Sequence, residues 1–95
     1  MKKNIDWFKK VIAPSLEGIK IKYSFFEKGD FGDLNRVEIE GNGKGGNLDF
    51  WEKDWIEIHL YDYNEDKELI HALLEPTQDK ERDELLEKFE LLLKT

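Results

Sequence analysis

The chain has two histidines, His59 and His71, and no cysteine. A general base working near neutral pH must therefore be one of these two, unless a carboxylate has a raised pKa. Glu57 stands two residues from His59, on the same side of an extended segment. A hairpin joining the two histidine segments would bring the rings within one pairing position, and two imidazoles with a carboxylate are donors of the zinc type. A slip of one residue throws His71 to the other face, so a satisfied or surface histidine is the simpler reading. Asp49 and Glu57 on neighbouring strands form the kind of pair used in glycoside hydrolysis, which also needs a cleft and a protonated acid. Loops this short on a small sheet leave little material for a cleft. Gly41 and Gly46 have the spacing of a phosphate loop, but Asn47-Leu48 follow where Lys-Ser or Lys-Thr is required, and a strand follows where a helix should begin. No catalytic signature emerges. The expectation is a non-enzyme with no cofactor and no metal.

The elements that would position these residues centre on Leu48 to Leu60, LDFWEKDWIEIHL. Leu48 and Phe50 share one face of a first alternating segment and Ile56, Ile58 and Leu60 one face of a second, so a β-hairpin turning at Glu52-Lys53-Asp54 is predicted. The opposite faces carry Asp49, Trp51, Trp55, Glu57, His59 and Tyr61, a mixture of rings and carboxylates. A merely solvated face rarely needs three large rings. Trp and Tyr supply anchor area at interfaces, while carboxylates steer a basic partner and pair with its Arg and Lys.

Around this hairpin the chain reads as helix, strands, helix. Asn4 is a good N-cap for a short amphipathic helix with Ile5, Phe8 and Ile12 on one side, and Pro14 should stop it near Ile12. Ile19, Ile21, Tyr23 and Phe25 alternate with Lys20, Lys22, Ser24 and Phe26 in a first strand. Lys28 to Asp33 is loop-forming, Arg36 to Glu40 makes a second strand, and Gly41 to Asn47, with four glycines, is expected to be a flexible hairpin loop. Glu68 to Glu75 has the propensity of a helix, but its short polar link and the stop at Pro76 favour a fifth strand. Thr77 is placed as the cap of a last helix with Leu85, Leu86, Phe89, Leu92 and Leu93 in one stripe. The fold class expected is α+β: an antiparallel four- or five-stranded meander with N- and C-terminal helices packed on one face, in a single domain spanning residues 1–95.

The net charge of −7 is unevenly placed: residues 1–27 carry +3, residues 28–68 carry −7 and residues 69–95 carry −3. An acidic sheet repels phosphate backbones, which argues against direct nucleic-acid binding, and attracts a basic partner. The absence of cysteine and of a signal-peptide pattern in MKKNIDWFKKVIAP predicts a cytoplasmic protein. No apolar run approaches the about 18 residues of a membrane span.

The whole-chain pattern resembles the small bacterial immunity proteins of polymorphic-toxin and contact-dependent inhibition systems. What carries the resemblance is a short, acidic, cysteine-free domain with a lysine-rich start, the segment GNGKGGNLDFWEKDWIEIHLYDYNEDKELIHALLEPTQ, and a charged leucine helix at the end. The resemblance implies a cytosolic inhibitor that binds a basic toxin domain and blocks its active site or a nearby surface. Many such toxins are nucleases with basic substrate grooves. The partner-binding residues expected are Asp30, Asp33, Asp49, Trp51, Glu57, His59 and Tyr61, in a chain that alone is a monomer or weak dimer. The competing expectation is a structural subunit that uses the same face to associate, and a third is a small metal-dependent hydrolase built on His59 and His71.

Overall fold

Apolar residues at every second position build the sheet. In the computed structural model, which describes residues 3–95 and of Lys28 only the backbone, five strands run β1 (Lys20–Gly29), β2 (Gly32–Gly41), β3 (Lys44–Trp51), β4 (Ile56–Asp62) and β5 (Lys67–Leu74). They pair antiparallel with their sequence neighbours in the order β1-β2-β3-β4-β5, an open meander. The segment expected as a strand over 68–75 is β5, Lys67–Leu74, because Ile70 and Leu74 pair with Leu60 and Ile56 and complete the apolar face.

That face is made of Val37 and Ile39 on β2, Leu48 and Phe50 on β3, Ile56, Ile58 and Leu60 on β4, and Ile70 and Leu74 on β5, all buried. Two helical segments lie over it. One contains α1 (Ile5–Trp7) and contributes Phe8, Ile12 and Leu16; the other, α2 (Asp79–Leu93), contributes Leu86, Phe89 and Leu93 to the same core. Burying one stripe of each helix on one sheet face leaves the second sheet face uncovered. The lysine-rich start at Met1 and Lys2 lies outside the described residues.

Several local expectations are corrected by tertiary contacts. The N-terminal helix does not stop at Ile12: after α1 the chain widens into a π turn over Phe8–Ile12 and tightens into a 3-10 turn over Ala13–Ser15. Ala13 keeps helical angles, φ −53° and ψ −43°, and its N–H donates to the Phe8 carbonyl. Pro14 is accommodated in the first turn of the 3-10 segment, where its missing N–H is no loss. The Ser15 hydroxyl donates to the Ile12 carbonyl at 2.8 Å. Burial of Phe8, Ile12 and Leu16 on one side holds the path together.

The glycine-rich stretch Gly41 to Asn47 is a strand from Lys44 onward and no flexible loop. Asn42 and Gly43, with φ of 54° and 74°, form a tight two-residue connection, and pairing resumes at once with Gly41 opposite Lys44. Gly45 and Gly46 then serve close packing: a Cβ at Gly46 would meet the His59 carbonyl and one at Gly45 the Tyr63 hydroxyl. Thr77 does not cap α2. The helix begins after Gln78, with no side-chain cap bond; the Gln78 side chain accepts instead from the Glu75 N–H at 2.9 Å, and the Thr77 hydroxyl donates to the Glu75 carboxylate.

Candidate functional site

The uncovered face reads as rows across the sheet. Register places Lys20, Glu40, Gly45 and Tyr61 in one row, then Lys22, Glu38, Asn47, His59 and His71, then Ser24, Arg36, Asp49, Glu57 and Leu73, and finally Phe26, Leu34 and Trp51. Side chains at alternate positions share a face, so each row presents its members together.

The first two rows enclose a groove of about 640 Å³. Its floor is the bare backbone of Gly45 and Gly46 with Asn47; Glu38 and Glu40 stand on one side and His59, Tyr61 and Tyr63 on the other, with Lys20 and Lys22 beyond the glutamates. The groove exists because β3 lacks side chains where its neighbours have long ones. The Tyr61 hydroxyl donates to the Asp66 carboxylate, a bond that pushes the phenol above its ordinary pKa. Asp66 is held ready by a positive φ of 53° in the β4 to β5 turn, where the Asp62 carboxylate also accepts from the N–H groups of Asn64 and Glu65.

The histidines meet. His59 and His71 are directly opposite in the register, with ring centroids 5.1 Å apart at 68°, and His71 Nδ1 lies 2.9 Å from Glu68 Oε1. Glu57 belongs to the neighbouring row. Among the described residues no group of three or more His, Cys, Asp or Glu side chains is arranged to hold a metal ion.

In the third row Arg36 Nε donates to Asp49 Oδ1 at 2.8 Å and Nη2 to Oδ2 at 3.0 Å. This two-point grip is the strong form of the pair, and it raises the Arg36 pKa further, chiefly through the hydrogen bond. Asp49, expected as a contact residue, is 1% exposed with both oxygens engaged. It therefore presents Arg36 to the surface and is no open carboxylate itself. Nor do Asp49 and Glu57 form an acid–base pair in a cleft, although the register sets them opposite.

The remaining expected residues lie at the far end of the face. Phe31, in the β1 to β2 turn, stacks on Trp55 at 4.2 Å and 12°, and meets Trp51 edge-on at 5.5 Å. Trp55 precedes β4, and its ring stacks on Phe31 in this turn. The two hairpin tips are also tied by backbone bonds, Glu52 N–H to the Asp33 carbonyl at 2.8 Å and Lys53 N–H to the Phe31 carbonyl at 3.1 Å. Asp30, Asp33 and Trp51 belong to this tip. Trp51 lies six positions along β3 from Gly45, which is opposite Tyr61, about 20 Å at the usual strand rise.

The structure thus brings His59 and Tyr61 into one groove with Glu57 in the next row, buries Asp49, and sets Asp30, Asp33 and Trp51 apart at the hairpin tips. The sequence places Glu38 and Glu40 on the open face, but it did not show the groove or mark Tyr63, Lys20 and Lys22 as lining it, because Gly45 and Gly46 were assigned to a loop. The Asn42-Gly43 pair was the available signal, since Asn-Gly between alternating segments marks a two-residue hairpin and starts β3 at Lys44, four residues before Leu48. Among the described residues no helix is long and apolar enough to cross a membrane. No family model, no curated protein and no solved structure matches this chain.

Proposed function

We propose that the chain is an immunity-type inhibitor, which binds a cognate toxin domain in the bacterial cytoplasm and neutralises it through the sheet face its helices leave uncovered. One observation carries this: rings and carboxylates converge on a groove in that face, with Tyr61, Tyr63 and His59 along one wall and Glu38 and Glu40 along the other. Aromatic side chains supply desolvated anchor area, and the glutamates receive the Lys and Arg groups of a basic toxin, such as a nuclease whose substrate groove is cationic. Tyr63, 58% exposed, is the most open of the three rings on the groove wall. The Phe31, Trp51 and Trp55 tip with Asp30 and Asp33 extends the contact at the far end, so a partner that covers both would be held at two separated points.

The test is complex formation with the C-terminal domain of a large secreted protein encoded immediately upstream, by size exclusion and calorimetry, together with rescue of cells expressing that domain. A tight complex that abolishes toxicity is expected, and Tyr61→Ala or Tyr63→Ala should weaken it by about 2 kcal/mol if either ring is an anchor. Association should slow with added salt. Absence of any complex, or a complex indifferent to both substitutions and to salt, refutes the proposed face.

A further inference from the structure

The free edge of β1 carries a second surface. β1 is outermost in the sheet, so half of its backbone donors and acceptors have no strand beyond them. Edges are normally blunted by charge, by a bulge or by a covering element. Here three rings remain exposed in the middle of the strand: Tyr23 at 44%, Phe25 at 54% and Phe26 at 48%. Phe8 meets Tyr23 edge-on at 6.4 Å and the Lys9 ammonium lies 5.0 Å from its ring, yet much of the ring stays open. The opposite edge, β5, exposes only Leu73 among its large apolar side chains, and α2 packs against it.

The strand is complementary to itself. Regular pairing with β2 extends from Lys20 opposite Glu40 to Phe26 opposite Leu34, and the register then breaks. The midpoint of this straight segment is Tyr23. An antiparallel copy aligned over the whole segment therefore sets Tyr23 against the second copy's Tyr23, Ile21 against Phe25, Lys22 against Ser24 and Lys20 against Phe26. No like charges are opposed. Lys20 and Lys22 each have a glutamate directly across on β2, Glu40 and Glu38, so the two edges meet charge-balanced. A two-fold axis perpendicular to the sheet keeps both pairs of helices on the same side, and the contact closes on itself instead of propagating.

We propose that a second copy of this chain docks on the β1 edge, antiparallel and centred on Tyr23, to make one continuous sheet across a dimer. This goes beyond the inhibitor reading: the second copy pairs along the backbone edge of β1, on the far side of Lys20 and Lys22 from the Tyr61 wall of the groove, and either proposal can fail without the other.

The chain contains no cysteine, so single cysteines report the register. Light scattering of the unmodified protein from micromolar to millimolar concentration should show the mass rising from one chain to two. Tyr23→Cys should form a disulfide-linked dimer in a mild redox buffer. Phe25→Cys should not, because its counterpart lies about four residues, or 13 Å, along the partner strand, beyond disulfide reach. Leu73→Cys on β5 should not either. Phe25→Lys, at an exposed position, should return the protein to a monomer with an unchanged circular dichroism spectrum. A monomer at every concentration overturns the proposal, as does cross-linking at residues 25 or 73 equal to that at 23.

Discussion

Arg36 holds Asp49 by two parallel hydrogen bonds, 2.8 and 3.0 Å long, across neighbouring strands in the middle of the uncovered face. The two partners are unequally placed: the Asp49 side chain is 2% exposed and that of Arg36 is 36% exposed. The pair turns what the sequence offers as an acidic contact residue into a neutralised ion pair whose accessible member is the Arg36 guanidinium, flanked by Glu38 and Glu57, both of which act on Arg36 electrostatically.

That asymmetry makes the two truncations unequal. Arg36→Ala leaves a buried carboxylate without its partner and should cost about 3 kcal/mol. Asp49→Ala leaves a guanidinium that can reach water and should cost about 1 kcal/mol. Urea denaturation of both variants measures this directly; the reverse order would show that Arg36, not Asp49, bears the desolvation.

Gly46 and Gly45 should respond differently to alanine. The added methyl at Gly46 runs into the His59 backbone, which cannot move without opening the β3 to β4 ladder, and a loss of about 3 kcal/mol is expected. At Gly45 the obstacle is the far end of the exposed Tyr63 side chain. A loss of about 1 kcal/mol is expected there, and it should largely vanish when Tyr63→Ala is combined with it. Thermal unfolding of the two single variants and the double variant decides the matter.

Asn42 performs two tasks. It takes a φ of 54° in the β2 to β3 turn, and its Nδ2 donates to the Leu93 carbonyl at 2.6 Å, so the hairpin ties down the end of α2. Asn42→Gly keeps the turn and loses the tie, at about 1 kcal/mol. Asn42→Ala loses the tie and adds left-handed strain of about 1 kcal/mol. Equal stabilities for the two variants would show that the turn conformation is not strained by alanine.

The Tyr61 phenol is raised above 10.0 by its bond to Asp66, with a smaller contribution from burial. Because the folded value is the higher one, the native state binds this proton more strongly than the unfolded chain does. The associated stability is complete below the unfolded pKa near 10.0 and is lost as pH rises through the folded value. Ultraviolet titration should show a tyrosine component above pH 10.0 that Tyr61→Phe removes and Asp66→Asn moves down. A component unmoved by Asp66→Asn would assign the shift to another neighbour.

Period and composition were enough to define the elements: alternation at Val37 and Ile39, at Leu48 and Phe50, and at Ile56, Ile58 and Leu60 marks strands, and the leucine stripe of residues 85–93 marks a helix. These signals are local, because one buried face imposes its repeat on each segment by itself. They also determined that both helices share a face, since only one side of the sheet is continuously apolar. What lay beyond them depended on which atoms meet across strands. Whether Gly45 and Gly46 are loop or strand turns on the space needed by His59 and Tyr63; whether Asp49 is a contact or a support turns on Arg36 opposite it; whether Trp55 faces the groove turns on Phe31 in another hairpin. Such partners are distant in sequence and leave no periodic mark, so register and packing decide them only when the chain has folded.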